Sequence, residues 1–248
     1  MEKRSKIIFV NCITMIRVIG TFAMPVICHK LPPIWAVTYI ICLLLTDFLD
    51  GFLARRLKVC TVFGSLADQI ADKLFGIACL AFLATRNWIM LLPIATEAII
   101  TLVTTRGGFN GTSVDSSILG KIKTFFLALI IIAGFATFYA KEILSAITLN
   151  NTIGMYATDL FTYLVNNSSE VMYSLAFAAV GTGIMTACDY AIRSAHEMKR
   201  HKETGMKPEL YTLKKGKALY KALFDPEYYK KTKNEPLMKK IGEVKKSK

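Results

Sequence analysis

The sequence has few of the residues that build zinc sites or disulfide frameworks. It contains three histidines in 248 residues, and its six cysteines are scattered without a C-x-x-C pair or a histidine at ligand spacing. A zinc site and a disulfide-stapled fold are therefore not expected, and most of the cysteines are better interpreted as small apolar packing residues. The sequence also has no internal repeat and no low-complexity linker.

Apolar residues are abundant and unevenly distributed. They make up 53% of the chain, and the mean hydropathy is +0.42. They gather in six stretches of roughly 20 residues, about the length of helix that crosses a bilayer. These stretches are about 7–29, 34–55, 64–85, 88–105, 118–140 and 170–192. Most are apolar on all sides, which favours membrane helices over a large soluble core. The sequence predicts an all-α, polytopic membrane protein with six transmembrane helices.

Basic residues outnumber acidic residues by 31 to 18, which gives a net charge of +13. Residues 193–248 hold 17 basic and 7 acidic side chains, and thus +10 of the excess. With six crossings, the lysine and arginine distribution predicts both termini on the cytoplasmic side of the cell membrane. The expected organisation is a six-helix transmembrane catalytic domain over residues 1–192 and a basic cytoplasmic tail over 193–248. The charge indicates contact with anionic lipids, and no nucleic-acid motif accompanies it.

Two segments outside the six stretches carry weaker signals. An interfacial helix is predicted around Met155–Leu164, within the connection 141–167. In the tail, apolar residues are expected along one side of a surface helix resting on anionic lipid. These residues are Leu210, Leu213, Tyr220, Leu223 and Phe224. A solvated, disordered end is the alternative interpretation of the tail.

An aspartate-rich segment interrupts the apolar pattern between the second and third stretches, where the chain reads DFLDGFLARRLKVCTVFGSLADQIAD. Asp47 and Asp50 are three residues apart and share a helix face. Gly64, Asp68 and Asp72 are spaced by four and share another, and a short turn lets the two faces meet. Carboxylates this close repel one another, and a lipid-facing aspartate costs ~2.5–3.5 kcal/mol at mid-membrane. Bound cations are therefore expected.

The residue types in this segment suit phosphate chemistry. Oxygen-only ligands favour magnesium, manganese or calcium over zinc or copper. Two such ions held by aspartates can bind and polarise a phosphate ester or a pyrophosphate. Gly51, Ala54 and Gly64 leave room beside the carboxylates, and Arg55 offers a planar cation for phosphate. A purely structural hairpin of arginine–aspartate pairs would leave two of the four carboxylates without an explanation.

The segment resembles the signature of the CDP-alcohol phosphotransferase family, D-x-x-D-G-x-x-A-R-x8-G-x-x-x-D-x-x-x-D. All eight specified positions are matched, by Asp47, Asp50, Gly51, Ala54, Arg55, Gly64, Asp68 and Asp72. Eight residue types at fixed spacing make a specific match, unlike a lone glycine-rich loop. The resemblance extends from about Asn11 to Thr124.

The resemblance implies a fold and a site. Six transmembrane helices would surround a polar cavity open to the cytoplasm. Two divalent cations, Mg²⁺ or Mn²⁺, would be held by Asp47, Asp50, Asp68 and Asp72. Asp72 would also act as the general base. CDP binding would involve Asp50, Gly51, Ala54, Arg55 and Gly64.

Within the family, the chain is most similar to the phosphatidylglycerophosphate synthases. Their N-x-x-T-x-x-R motif matches Asn11, Thr14 and Arg17, and their G-K-x-K-T motif matches residues 120–124. The similarity implies transfer of the phosphatidyl group from CDP-diacylglycerol to glycerol 3-phosphate. The base would take the proton of the acceptor hydroxyl, the hydroxyl would attack the phosphorus attached to diacylglycerol, and CMP would leave.

The acceptor phosphate is expected to bind Arg106, Lys121 and Lys123, although positive-inside anchoring is an alternative interpretation of the two lysines. Where these synthases carry two further arginines in the fourth helix, this chain has Thr96 and Thr104. Other acceptors therefore stay open, namely inositol phosphate or a polar alcohol such as inositol, serine or glycerol. The non-enzyme alternative is a cation carrier, which the absence of an inverted repeat disfavours. A homodimer is compatible with the sequence.

Overall fold

The computed structural model describes residues 3–109, 118–146, 152–203, 211–232, 235 and 237–244, and most of these residues are helical. The long helices are α1 (Lys3–Lys30), α2 (Pro33–Arg56), α3 (Val62–Ala84), α4 (Leu91–Phe109), α5 (Ile118–Phe138) and α8 (Ser168–Glu203). The shorter helices are a 3₁₀ turn (Trp88–Met90), α6 (Ala140–Ala146), α7 (Thr152–Asn166), α9 (Gly216–Phe224), α10 (Pro226–Lys231) and α11 (Leu237–Ile241). Two three-residue strands, β1 (Tyr211–Leu213) and β2 (Gly242–Val244), pair antiparallel.

Five of the long helices have the length and the apolar composition to cross a membrane. They are α1, α2, α4 with the preceding 3₁₀ turn, α5 and α8. The remaining predicted span is α3, which carries Asp68, Asp72 and Lys73 within its 23 residues. These three charges lie near the middle of α3, whereas α2 has an uncharged apolar run, 33–46, before its own charged residues. The all-α, polytopic membrane fold is confirmed, while the number of crossings stays a prediction.

The long helices pack in two groups around a common apolar interior. Helix α1 packs on α2 and α3, and α8 packs on α4 and α5. Leu80 of α3 and Phe135 of α5 are fully buried, and the Phe135 ring lies 5.4 Å from the ring of Phe82. Small residues permit the closest helix approaches: a Cβ added at Gly134 would lie 2.6 Å from Leu83 Cδ1. Close packing through small residues is typical of membrane helices.

The turn between α2 and α3 determines how the two aspartate-bearing helices meet. The Val59 amide donates to the Ala54 carbonyl at 3.0 Å, and Lys58 adopts a left-handed φ of 55°. This is the hydrogen-bond pattern of a helix end closed by a left-handed residue. Thr61 then caps α3, because its hydroxyl accepts a hydrogen bond from the Gly64 amide at 3.0 Å. The short turn predicted from the sequence is present.

The segments after α5 differ in part from the expectations. The predicted helix around Met155–Leu164 lies inside α7, and the last apolar stretch, 170–192, lies inside the longer α8. The expectation that the tail's apolar residues share one surface helix is wrong for the described residues. Leu213 belongs to β1, whereas Tyr220 and Phe224 belong to α9, and Leu210 lies outside the described residues.

The described part of the tail does not form a single helix, because β1 pairs with β2 before α9 begins. The Lys214 amide donates to the Ile241 carbonyl at 2.9 Å, which extends the pairing of β1 with β2. Gly216 then takes a positive φ of 57°, a conformation that a helix interior does not contain.

Candidate active site

The four motif aspartates line one cavity of about 370 Å³ between α1, α2 and α3. All eight positions of the family signature line this cavity. The remaining walls come from α1, from the turn before α3 and from the C-terminal segment, including Asn11, Thr61 and Tyr229. The aspartate-bearing faces of α2 and α3 therefore meet, as their spacing predicts.

Arg17 of α1 lies among the four carboxylates. Its Nη1 bonds to Asp47 and lies 3.0 Å from Asp72 Oδ1. Its Nη2 lies 2.7 Å from Asp68 Oδ1 and 3.8 Å from Asp50 Oδ2. The arginine side chain is 1% exposed. One fixed cation thus reduces the repulsion among four carboxylates, and the site keeps an excess of negative charge.

No role in the site was predicted for Arg17 from the sequence, where it is only one position of the N-x-x-T-x-x-R motif. The signal was nevertheless present, because residues spaced by three lie near one another on a helix surface. Thr14 belongs to the same face, and its buried hydroxyl donates to Asp50 Oδ2 at 2.7 Å. Asn11 completes the face: its Oδ1 would lie 3.1 Å from a Cβ added at Gly64. Helix α1 therefore orients the carboxylates of α2 and α3.

The carboxylate geometry fits a hard divalent cation. Asp47, Asp50 and Asp68 each offer an oxygen, and these oxygens lie within 4.8 Å of one another. Oxygens that ligate one ion at 2.0–2.6 Å are separated by roughly this much or less. Asp50 Oδ1 is also buried, and it accepts no hydrogen bond from the residues that the structure describes. A buried carboxylate oxygen without a donor suits a metal ligand.

The small residues of the signature and Arg55 form another part of the cavity wall. Arg55 Nε donates to the Gly51 carbonyl at 3.0 Å, and the Arg55 side chain is exposed at the cavity wall. A Cβ added at Gly51 would contact Arg55 Nη2 at 3.8 Å, an ordinary distance. A Cβ at Gly64 would approach both Asn11 Oδ1 and Thr61 Oγ1 at 3.1 Å. A side chain at Gly64 would therefore crowd its neighbours, whereas one at Gly51 would mainly reduce the open space of the cavity.

The predicted acceptor residues are not gathered at this cavity. Lys121 is exposed on α5, and Lys123 pairs with Glu97 of α4 at 2.5 Å, with both side chains 13% exposed. Of these two lysines, neither lines the aspartate cavity. The side chain of Arg106 lies outside the described part of the structure. Lys73, which follows Asp72 in the sequence, adds a cation nearby and donates to Thr101 Oγ1 at 3.1 Å.

The structure explains one of the two threonines found in place of arginines. Thr96 is buried where α4 meets α8, and a Cβ added at Gly183 of α8 would lie 2.7 Å from Thr96 Oγ1. The close contact between α4 and α8 leaves little room for a longer side chain at position 96. Thr104 donates to the Ile100 carbonyl at 2.9 Å, a common intrahelical bond that explains nothing specific.

Comparison with known proteins supports the family that the aspartate signature indicates. The family model described as CDP-alcohol phosphatidyltransferase matches residues 8–163. A Pectobacterium atrosepticum protein named CDP-diacylglycerol–glycerol-3-phosphate 3-phosphatidyltransferase is 37% identical over 113 residues, covering 40% of this chain and 61% of its own length. A Bacillus subtilis protein of the same name is 36% identical over 83 residues, covering 32% and 43%. A Sodalis glossinidius protein of that name is 40% identical over 87 residues, covering 32% and 48%.

The matches to these relatives span only about half of their lengths, between 43% and 61%. No solved structure matches the chain. The family model covers well over half of the 248 residues and includes every motif residue of the cavity. The chain therefore belongs to the CDP-alcohol phosphatidyltransferase family.

Proposed function

We propose that the protein is an integral-membrane phospholipid synthase that transfers the phosphatidyl group from CDP-diacylglycerol to glycerol 3-phosphate and releases CMP. The observation that carries this proposal is the convergence of all eight signature residues on one cavity at the ends of α2 and α3. The names of the relatives, which are called glycerol-3-phosphate 3-phosphatidyltransferases, support the choice of reaction and of acceptor.

Two divalent cations, Mg²⁺ or Mn²⁺, are the cofactors of this reaction. Asp47, Asp50, Asp68 and Asp72 would hold them, and the Asp50 oxygen without a donor supports the assignment. When bound, the cations would neutralise and polarise the pyrophosphate. Arg17 and Thr14 of α1 orient the carboxylates through their hydrogen bonds. The positions of the ligand oxygens are therefore fixed before a cation binds.

The remaining steps use side chains of this chain. Asp50, Gly51, Ala54, Arg55 and Gly64 form the CDP pocket. Asp72 accepts the proton of the acceptor hydroxyl. The hydroxyl oxygen then bonds to the phosphorus attached to diacylglycerol, as the bond from that phosphorus to the CMP oxygen breaks. Arg55, exposed at the cavity wall, stabilises the charge that develops on the leaving phosphate.

The acceptor phosphate is assigned to the cationic side chains of α5 and to Arg106. Lys121 is exposed and can meet a phosphate from the cytoplasm. Lys123 is held by Glu97, so it reaches a phosphate only by exchanging that partner. Lys73 lies one residue beyond the base and adds a fourth positive charge. Inositol phosphate, inositol, serine and glycerol are the competing acceptors.

The proposed topology has six crossings with both termini and the cavity on the cytoplasmic side. The catalytic domain would comprise residues 1–192, and the basic tail, 193–248, would contact anionic lipid. Contact of α9 with α3 supports this arrangement, because the tail and the cavity then lie on the same side of the membrane. The excess of lysine and arginine in the tail supports the same orientation.

The proposal is tested with purified full-length protein in neutral detergent with Mg²⁺ and CDP-diacylglycerol. Glycerol 3-phosphate, inositol phosphate, inositol, serine and glycerol are supplied separately, and CMP release and the lipid product are measured. We expect the highest kcat/KM with glycerol 3-phosphate, and no CMP release after chelation. A higher kcat/KM with serine or glycerol would refute glycerol 3-phosphate as the acceptor. Transport of cations across a membrane without any CMP release would refute the assignment as an enzyme.

A further inference from the structure

The C-terminal segment after α8 folds back onto the aspartate cavity. Its helix α9 packs on α3, where the rings of Phe224 and Phe63 lie 4.9 Å apart. The Tyr220 ring lies 4.9 Å from that of Phe224, and Ala222 is 2% exposed. Phe63 immediately precedes Gly64 of the signature. This aromatic contact anchors the segment at the edge of the site.

A well-defined turn follows this anchor. Asp225 caps α10 by accepting a hydrogen bond from the Glu227 amide at 2.9 Å. Pro226 occupies the first position of α10, where its restricted φ suits the start of a helix. The amide of Tyr229 donates to the Asp225 carbonyl at 3.1 Å. Tyr229 is thus held one helical turn beyond the anchor in a defined direction.

The two tyrosines of α10 have different surroundings. The Tyr228 hydroxyl donates to the Lys240 carbonyl at 2.8 Å and accepts from Lys214 Nζ at 2.9 Å. These bonds tie α10 to α11 and to the residue after β1. Tyr229 instead lines the aspartate cavity. Among the described residues, it is the one cavity-lining side chain from outside α1, α2, α3 and the connecting turn.

The chemistry of the cavity indicates which part of the substrate meets this ring. The carboxylates and Arg55 match the pyrophosphate, and the acyl chains belong in lipid. Cytosine is the one planar aromatic group of the substrate, and aromatic side chains stack on bases. Lys240 Nζ lies 5.6 Å from the centroid of the Tyr229 ring, so the ring already carries a cation contact on the tail side.

We propose that Tyr229 binds the cytosine ring of CDP-diacylglycerol by stacking, and that the C-terminal segment is therefore one wall of the nucleotide pocket. The inference rests on the proposed function, since it takes a CDP-lipid as the ligand. It assigns the tail a place in substrate binding in addition to its contact with lipid.

The test is the binding of CDP to the purified full-length protein in detergent with Mg²⁺, measured by titration calorimetry. The variants are Tyr229→Ala, which removes the ring, and Tyr229→Phe, which keeps it. Tyr156→Ala is the matched control, because Tyr156 is 72% exposed on α7. We expect a roughly tenfold loss of CDP affinity for Tyr229→Ala, the size of one base–aromatic contact. Tyr229→Phe and Tyr156→Ala should bind CDP as the wild type does.

Pyrophosphate separates stacking from a general disturbance of the site. It carries the phosphates without the base, so Tyr229→Ala should bind pyrophosphate and Mg²⁺ with unchanged affinity. Equal losses for CDP and pyrophosphate would overturn the proposal, as would wild-type CDP affinity in Tyr229→Ala.

Amide hydrogen exchange gives a readout that needs no variant. CDP should slow exchange across residues 226–232 of the wild-type protein, and pyrophosphate should not. Unchanged exchange on CDP binding would overturn the proposal even if Tyr229→Ala failed to fold.

The same experiments keep this inference apart from the proposed function. Base-dependent binding through Tyr229 in a protein that transfers no phosphatidyl group would support the inference and refute the synthase. Phosphatidyl transfer by the wild-type protein, together with full CDP affinity in Tyr229→Ala, would support the synthase and refute the inference. A wild-type protein that binds no CDP would refute both.

Discussion

Arg17 of α1 and Asp68 of α3 form an ion pair at the centre of the site, with Nη2 2.7 Å from Oδ1. The same guanidinium also contacts Asp47 and Asp72, so a single residue of the first helix joins the aspartates of the next two. The arginine is buried, whereas Asp68 is 37% exposed toward the cavity. The carboxylates are therefore oriented from the protein side and stay accessible from the cavity side.

Replacing Asp68 with asparagine should abolish turnover while the protein stays folded. The change removes one ligand charge and one partner of Arg17. We expect CMP release to fall by more than the roughly 10–100-fold that changes to the hydrogen-bond partners of metal ligands cost, because Asp68 is itself proposed as a ligand. Asp47→Asn and Asp72→Asn should behave alike. Asp159→Asn, on α7 and away from the cavity, is the control, and full activity of Asp68→Asn would refute the two-cation site.

Replacing Arg17 with methionine should destabilise the protein most when divalent cations are absent. The change leaves four carboxylates without their buried cation, and removing one member of a buried ion pair costs about 3–5 kcal/mol. We expect a lower Tm in chelator and a larger rise in Tm on addition of Mg²⁺ than the wild type shows. Thermal unfolding in detergent measures both.

Arg193→Met is the matched control for this change. Arg193 pairs with Asp189 four residues earlier on α8, with 52% of its side chain exposed, and such pairs contribute only about 0.3–0.5 kcal/mol. Its Tm should therefore fall by much less than that of Arg17→Met, and Mg²⁺ should raise it by the same amount as it raises the Tm of the wild type. An equal Mg²⁺ effect on Arg17→Met and wild type would show that Arg17 does not act on the metal site.

Two glycines of α8 should respond in opposite ways to alanine. A Cβ at Gly183 would lie 2.7 Å from Oγ1 and 3.0 Å from Cβ of Thr96, whereas a Cβ at Gly181 would meet nothing within 4 Å. Gly183→Ala should destabilise the α4–α8 contact by about 1–3 kcal/mol, the usual cost of overpacking. Gly181→Ala should leave the Tm unchanged or raise it slightly, because alanine favours a helix. Equal Tm values for the two variants would contradict the described packing.

Lys121 and Lys123 should differ when each is changed to alanine. Lys121 is exposed, so Lys121→Ala should raise the KM for glycerol 3-phosphate with little change in Tm or in the KM for CDP-diacylglycerol. Lys123→Ala leaves Glu97 largely buried without its partner, and should also lower the Tm. Glu97→Gln combined with Lys123→Ala should recover part of that Tm. An unchanged acceptor KM in Lys121→Ala would remove this residue from the acceptor site.

The aspartate motif shows how far local sequence carries. Asp47 and Asp50 share a helix face because of the geometry of the α-helix, and the same holds for Asp68 and Asp72. The turn between α2 and α3 is short, so the two aspartate-bearing faces are expected to lie close together. The apolar stretches likewise predict membrane helices because length and composition are local properties. Family, fold class and carboxylate cavity were therefore predictable.

The partners of long-range side chains were not predictable, because packing decides them. Nothing local shows that Arg17 contacts the carboxylates of two other helices, or that Lys123 pairs with Glu97. A charge pattern gives the sign of a residue and its helix face, and the tertiary structure decides which charge lies opposite it.

The tail shows the difference most clearly. The sequence by itself determined that this segment is basic and carries scattered apolar residues. That local pattern predicts either a surface helix or a solvated end. Only the tertiary structure decided that Phe224 lies on Phe63 and that Tyr229 lines the aspartate cavity. The physical reason is that the hydrophobic effect is not directional, so the sequence of an apolar segment does not specify the surface on which it packs. Burial is favourable wherever a complementary surface exists. Here that surface is provided by Phe63 of α3, which precedes Phe224 by 161 residues (224 − 63) in the chain.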